Sequence, residues 1–232
     1  MVIGGLQKNS FIDFPGKISC VVFLSGCNFD CPYCHNPDLA KGCAAYPSRL
    51  NDNSILTFLE SHKTFLDGVV ISGGEPTLQK DLQDLCEKIK ALGYPIKLDT
   101  NGSRPQVLQR LVEGGLVDYI AMDIKSDPRC YAPAIQKAYD PEPIFASIRI
   151  LMESNVPYEF RTTCIKPFVD TQIIANILKI IKGSRLYALQ QFRDTTVLNP
   201  RFFHENECRY SDQELSNLQA IASDWVQECI VR

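Results

Sequence analysis

Six short runs of apolar and β-branched residues recur along the chain, at 19–24, 68–72, 95–99, 117–123, 158–164 and 186–190. Between and after them lie stretches whose apolar residues fall three and four apart. Leu82, Leu85, Ile89 and Leu92 form one stripe, and Val107, Leu108, Leu111 and Val112 a second. Ile144, Ile148 and Leu151 continue the pattern, as do Ile173, Ile174, Ile177, Leu178 and Ile181. Leu215, Leu218, Ile221, Ala222 and Trp225 place a last helix near the end. Short runs bounded by turn residues predict strands, and the three-and-four spacing predicts helices with one apolar face toward the core. A strand that returns to its own sheet through a helix pairs in parallel. The pattern therefore predicts an α/β fold, a parallel sheet with outer helices. The 232 residues, 45% hydrophobic, suffice for one sizeable core, so a single domain over 1–232 is expected. Loops at 41–48 and 127–143 are the least regular. The second, with Pro128, Pro133, Pro141 and Pro143, reads as a lid, a docking surface or an ordinary surface loop.

Directly after the first run comes Cys27-Asn28-Phe29-Asp30-Cys31-Pro32-Tyr33-Cys34. Thiolates at four- and three-residue offsets can converge on one small cluster from a single loop. Cubane iron–sulfur clusters normally take four cysteines, so three leave one iron open for another ligand. A zinc site would need a fourth ligand, His35 or Cys43, and usually a second paired half that is missing here. Inert thiols are the plainest alternative, since the chain holds ten cysteines. Spacing favours the cluster. Cys20, Cys43, Cys86, Cys130, Cys164, Cys208 and Cys229 form no CxxC pair.

The cysteines, followed by His35-Asn36-Pro37, resemble the signature of the radical S-adenosylmethionine (SAM) superfamily. With Asp13-Phe14-Pro15-Gly16-Lys17 upstream, they resemble more narrowly the activating enzymes of glycyl-radical enzymes, most of all those serving anaerobic ribonucleoside-triphosphate reductase. The resemblance covers about Ser10 to Phe192. It implies an open, partial (β/α)6 barrel, which agrees with six predicted strands. It implies one 4Fe–4S cluster on Cys27, Cys31 and Cys34, with SAM on the open iron. The ferredoxin-like segment that larger activating enzymes carry after this motif is absent, for only Cys43 lies between Cys34 and Gly73.

Each remaining motif follows the C-terminal end of a predicted strand, the face on which parallel α/β barrels build active sites. Gly73-Gly74-Glu75-Pro76 reads alone as a turn before a helix. By resemblance it is the GGE motif, whose glycines let backbone approach a ligand and whose Glu75 accepts from the methionine ammonium. Asp99-Thr100-Asn101-Gly102 reads alone as a turn, and by resemblance as the DTNG motif. Asp123-Ile124-Lys125 resembles the DLK motif, with Ile for Leu. In that family these segments contact SAM, Asp99 and Asp123 help to hold a monovalent cation, and Lys125 pairs with the methionine carboxylate. Arg161 is either an orienting group for SAM or a structural ion-pair partner. Gln190-Gln191-Phe192 would line the adenine side, Gln191 foremost. The family often carries Pro or His there and this chain does not, which leaves its adenine contacts open. Tyr33 would stack on adenine or simply pack, and His35 would tune the cluster. His62 and His204 have no partner context.

The resemblance implies reductive cleavage of SAM to methionine and a 5′-deoxyadenosyl radical, which takes hydrogen from a glycine Cα of a partner. The partner would be a glycyl-radical enzyme, anaerobic ribonucleotide reductase first, with flavodoxin or ferredoxin as electron donor. The rival enzymatic reading is radical chemistry on a small molecule, as in 7-carboxy-7-deazaguanine synthase. A noncatalytic iron–sulfur or zinc protein is the rival of another class, but it would not need Glu75, Asp99, Asp123 and Lys125 at strand ends. Net charge of −3 without a basic run argues against nucleic-acid binding as the primary role. No apolar run reaches membrane-span length, Met1–Leu6 lacks a leader's apolar stretch, and cysteine usage suits a reducing cytoplasm.

Overall fold

The computed structural model describes residues 1–42, 50–193, 195–203 and 208–232. Cys43, most of the 41–48 loop and His204 lie outside the described residues. Among the described residues there are eight strands: β1 Ile3–Ser10, β2 Ser19–Leu24, β3 Gly68–Gly73, β4 Ile96–Thr100, β5 Tyr119–Asp123, β6 Tyr158–Cys164, β7 Leu186–Gln191 and β8 Glu228–Val231. Helices α1 Pro37–Ala40 and α2 Asp52–Ser61 lead from β2 to β3. Then α3 Leu82–Ala91, α4 Pro105–Glu113, α5 Glu142–Glu153, α6 Thr171–Ile180 and α7 Asp212–Ser223 each precede the next strand. The strands follow one another in chain order within one sheet. β1 joins β2 antiparallel, whereas β2–β3, β3–β4, β6–β7 and β7–β8 are parallel. The α/β class is as the sequence predicts, and β2 to β7 coincide with the six expected runs.

Two strands were not expected. β1 buries only Ile3 and Ser10 and carries two glycines and a lysine, so it lacks a strand's apolar signature. β8 has four residues, with only Cys229 buried. Tertiary contacts form it. Gln191 N–H donates to the Arg232 carbonyl (2.8 Å), and the Arg232 guanidinium grips the buried Glu159 carboxylate through two hydrogen bonds (2.9 and 2.7 Å).

The chain divides into two compact units. The first comprises Met1–Asn28, Asn36–Thr100 and Gln106–Ile120, the second Phe29–His35, Asn101–Pro105 and Ala121–Arg232. In the first, Val21 and Val70 pack with Phe14 on one sheet face. Ile55, Leu59, Leu85 and Ile89 of α2 and α3 are fully buried. The Asp13–Lys17 segment enters β2 and thus lies at the N-terminal end of the parallel strands, away from the cysteines. Phe14 fills the space a side chain at Gly68 would need; a Cβ there would fall 2.9 Å from its ring. In the second unit, Ile144, Ile148, Leu151, Ile174, Ile177 and Leu178 bury the stripes of α5 and α6. One stripe residue departs from expectation. Ile221 stays 36% exposed, because Leu215, Leu218 and Ala222 already fill the inward face of α7.

Candidate active site

The motif residues stand at or just beyond the C-terminal ends of their strands. The cysteine loop leaves β2, Gly73 ends β3 and Glu75 follows it, Thr100 ends β4, and Asp123 ends β5. Arg161 lies within β6 and Gln191 ends β7. The three cysteines are split between the units, Cys27 in the first and Cys31 and Cys34 in the second. Each unit therefore holds its own group of candidate residues.

In the first unit the cysteine loop begins against backbone. Gly26 N–H donates to the Leu39 carbonyl (2.7 Å) and Cys27 N–H to the Ala40 carbonyl (3.0 Å), so α1 holds the loop's start. From the other side, Gly74 N–H donates to Leu24 O and Glu75 N–H to Gly26 O, both at 2.8 Å. This approach explains both glycines. A Cβ on Gly73, whose φ is +126°, would lie 2.2 Å from the Leu24 carbonyl oxygen. One on Gly74 would lie 2.2 Å from that of Gly26. Their closeness is to Leu24 at the end of β2 and to Gly26 at the start of the cysteine loop.

Glu75 is 1% exposed, yet its charge is well served. Its Oε1 accepts from Thr77 N–H (3.0 Å), Thr77 Oγ1 (2.5 Å) and Thr100 Oγ1 (2.8 Å). Pro76 follows as the first residue of a short 3₁₀ turn that Glu75 caps. Asp99 accepts from Ser72 Oγ at Oδ2 (3.0 Å) and is ion-paired at Oδ1 with the ammonium of Lys97. Lys97 was missed in the sequence, where it reads as one polar residue in an apolar strand. The available signal was parity, since residues two apart on a strand share a face.

In the second unit Asp123 is the hub. Arg161 Nε donates to its Oδ1 (2.7 Å) and Lys125 Nζ to its Oδ2 (3.0 Å). Burial alone would raise the Asp123 carboxyl, but Arg161 and Lys125 outweigh it and hold it well below the usual carboxylate range. Burial pulls Lys125 down, yet Asp123 and the nearby Cys31 thiol raise it above its ordinary value. Arg161 thus acts here as an ion-pair partner, one of its two expected roles. Tyr33 is buried, and its hydroxyl donates to the Lys125 carbonyl (3.2 Å). Burial, followed by Cys31, pushes the Tyr33 phenol well up. Asn101 Oδ1 accepts from Ser103 N–H (2.9 Å) in a turn completed by Gly102 (φ +75°). Gln191 donates from Nε2 to the Tyr210 carbonyl (2.5 Å), while its Oε1 is buried with no hydrogen-bond partner among the described residues.

A ladder of rings brackets Cys34, unforeseen in the sequence. Tyr33 meets Phe168 (5.5 Å between centroids), Phe168 meets Phe202 (5.1 Å), and Phe202 meets Phe203 (5.2 Å). Phe203 then meets Phe192 (5.3 Å), and Phe192 meets His35 (5.6 Å). The same segment hydrogen-bonds to the cysteine loop, Leu198 N–H to Cys34 O and Asn199 N–H to Pro32 O, both at 3.0 Å. His35 Nε2 lies 2.8 Å from the Arg193 carbonyl and so carries its proton there.

The described cysteines are reduced, and Cys27 and Cys34 are half-buried. Burial pushes Cys20, Cys86 and Cys164 up to about 12 and Cys229 up to about 11, which keeps these thiols protonated and inert. Among the described residues no three His, Cys, Asp or Glu side chains are already gathered as a metal cradle. On donor chemistry, three thiols in one eight-residue loop nevertheless fit a cubane with one open iron. The buried, unpartnered Gln191 oxygen fits a ligand that donates, such as an adenine amino group. A monovalent cation does not fit Asp99 or Asp123, whose carboxylates already hold Lys97, Lys125 and Arg161.

The fold is shared with solved structures. Streptococcus suis SuiB bound to precursor peptide SuiA superposes with a TM-score of 0.69 at 13% identity, over 90% of this chain and 48% of that one. The likeness shows an α/β fold of the partial-barrel kind. The sequence comparison is narrower: the radical SAM superfamily pattern matches residues 21–178. This chain belongs to the radical SAM superfamily and is a radical SAM enzyme, and membership implies a 4Fe–4S cluster and SAM. A Methanocaldococcus jannaschii protein named "putative glycyl-radical enzyme activating enzyme" is 34% identical over 100% of this chain and 95% of its own length. The 7-carboxy-7-deazaguanine synthase of Haemophilus influenzae is 33% identical over 61% of this chain and 58% of its own. The pyruvate formate-lyase-activating enzyme of Clostridium pasteurianum is 33% identical over 54% of each. Among the described residues no helix is long and apolar enough to cross a membrane.

Proposed function

We propose that this protein is a glycyl-radical-enzyme activating enzyme, with anaerobic ribonucleotide reductase as its partner and a flavodoxin or ferredoxin as electron donor. The observation that carries the reading is the match along the whole chain to the Methanocaldococcus jannaschii relative. Cys27, Cys31 and Cys34 would hold the cluster, and the chain's other residues would bind and orient SAM. When bound, the cluster and SAM would supply one-electron chemistry at the sulfonium bond, with a flavodoxin- or ferredoxin-delivered electron, directed at a glycine Cα of the partner.

Several features of the chain serve that chemistry. Gly73 and Gly74 keep the GGE segment against Gly26 and so fix where Cys27 emerges. Glu75 offers a buried acceptor for an ammonium group, oriented by Thr77 and Thr100. Asp123 keeps Lys125 and Arg161 charged and aimed, ready for a carboxylate, while Gln191 Oε1 receives the adenine amino group. The rings from Tyr33 to Phe192 pack beside Cys34 and hold the Leu198–Asn199 segment against the cysteine loop.

The partial match to 7-carboxy-7-deazaguanine synthase favours a second reading, radical chemistry on a purine precursor. One experiment separates them. Reduced, reconstituted protein is mixed with SAM and the candidate reductase, and paramagnetic resonance is recorded. A glycyl-radical doublet with 5′-deoxyadenosine formed alongside is expected. Turnover of the purine precursor with no protein radical would replace the first reading with the second. A content near four irons per chain is expected from the cubane stoichiometry, and about eight would mean a second cluster.

A further inference from the structure

Lys97 is among the largest fully buried side chains in the protein. It lies in β4, itself 2% exposed, opposite the fully buried Val70 of β3. An ammonium in such surroundings is tolerated only when a carboxylate compensates it. Asp99 does so, two residues on and on the same strand face, while Ser72 Oγ fixes its second oxygen at 3.0 Å. Asp99 therefore sits at the mouth of β4 with a cation of the chain's own beneath it. Asp123, taken by itself, shows the same design with Arg161 at 2.7 Å and Lys125 at 3.0 Å.

A metal cation bound to Asp99 would share that carboxylate with an ammonium already in contact with it. The two like charges would repel with little water to screen them. The resemblance-based expectation of a monovalent cation therefore conflicts with the residues present. We infer that Lys97 is a positioning residue that takes the place of a metal cation at Asp99. Its ammonium holds the Asp99 carboxylate in place, and SAM binding needs no added sodium or potassium. The consequence for SAM rests on the proposed function; the consequence for Asp99 does not.

The test uses both levels. SAM affinity of the anaerobically reconstituted protein is measured by equilibrium ultrafiltration in potassium, sodium or choline chloride at constant ionic strength. The wild type is expected to bind equally in all three, within about twofold. Lys97→Met is expected to lose roughly tenfold in choline and to regain affinity in potassium or sodium. The melting temperature of the apoprotein gives a readout independent of SAM. Potassium should leave the wild type unchanged and raise that of Lys97→Met. A roughly tenfold gain of wild-type affinity with potassium, or a wild-type melting temperature that rises specifically with it, would overturn the inference. So would a folded Lys97→Met protein indifferent to every salt. If that variant fails to fold, the wild-type salt series decides alone. Absence of SAM binding in all salts, with the apoprotein melting as expected, would count against the functional reading and leave Lys97's place beside Asp99 standing.

Discussion

Replacing Gly74 by alanine tests whether the GGE glycines serve the chain's own cysteine loop. The added Cβ would lie 2.2 Å from Gly26 O, 2.6 Å from Gly26 C and 3.2 Å from Cys27 N. All three are backbone atoms, so no side chain can swing aside. Overpacking of this kind costs about 1–3 kcal/mol. Moving Gly26 also stretches the bond from Glu75 N–H to Gly26 O, worth about 1 kcal/mol. The total is about 2–4 kcal/mol, and at about 2–4 °C per kcal/mol for a chain of this size the melting temperature should fall by about 4–16 °C. Gly115→Ala is the matched control. Its φ is +62° but nothing lies within 4 Å of a Cβ there, so only the left-handed backbone penalty of about 1–2 kcal/mol applies. Scanning calorimetry of the apoproteins gives the stabilities, and iron analysis after anaerobic reconstitution reports the loop. Gly74→Ala should melt below Gly115→Ala and lose at least half its iron. Equal melting with full iron content would refute the argument that the glycines seat the loop.

Asp123→Asn leaves Arg161 and Lys125 without their shared carboxylate, and the expected cost is about 1–3 kcal/mol, between an exposed and a fully buried pair. Because the folded Asp123 carboxyl is depressed, its contribution should be fully present above about pH 4 and fade as pH falls below the unfolded value. Urea titrations of both proteins across that range should converge at low pH; a constant gap would contradict the ion-pair account. Phe203→Ala should speed hydrogen exchange at the Leu198 and Asn199 amides, which donate to the cysteine loop, whereas unchanged exchange would show that the ring ladder does not hold that segment. Alkylation of the folded apoprotein near pH 8 should label the exposed Cys130 and spare Cys20 and Cys86, whose thiols are pushed up to about 12. Labelling of Cys86 as fast as Cys130 would show that burial does not control its reactivity.

Local pattern carried the repeating part of the fold. β2 and β6 run over the same residues in sequence and structure: β2 is the near-continuous apolar run of a buried strand, and β6 carries the aromatic and β-branched residues that favour strands, despite Glu159 and Arg161. The cysteine spacing and the motifs at strand ends were equally legible, since chain order fixes them. β1 and β8 were not, because they are edge strands with little apolar pattern of their own, made strands by pairing with β2 and β7. The purpose of Gly73 and Gly74 was also hidden. Their freedom is required by Leu24 and Gly26, which only the pairing of β2 with β3 brings alongside. The same holds for charge. Sequence lists Lys97, Asp99, Asp123, Lys125 and Arg161 as five ionisable residues, and cannot say which neutralises which. Strand parity sets Lys97 on Asp99, and the path from β5 to β6 sets Arg161 on Asp123. The pair two residues apart was within reach of strand parity, whereas the partnership of Arg161 with Asp123 depends on distance in space and was decided by the tertiary structure alone.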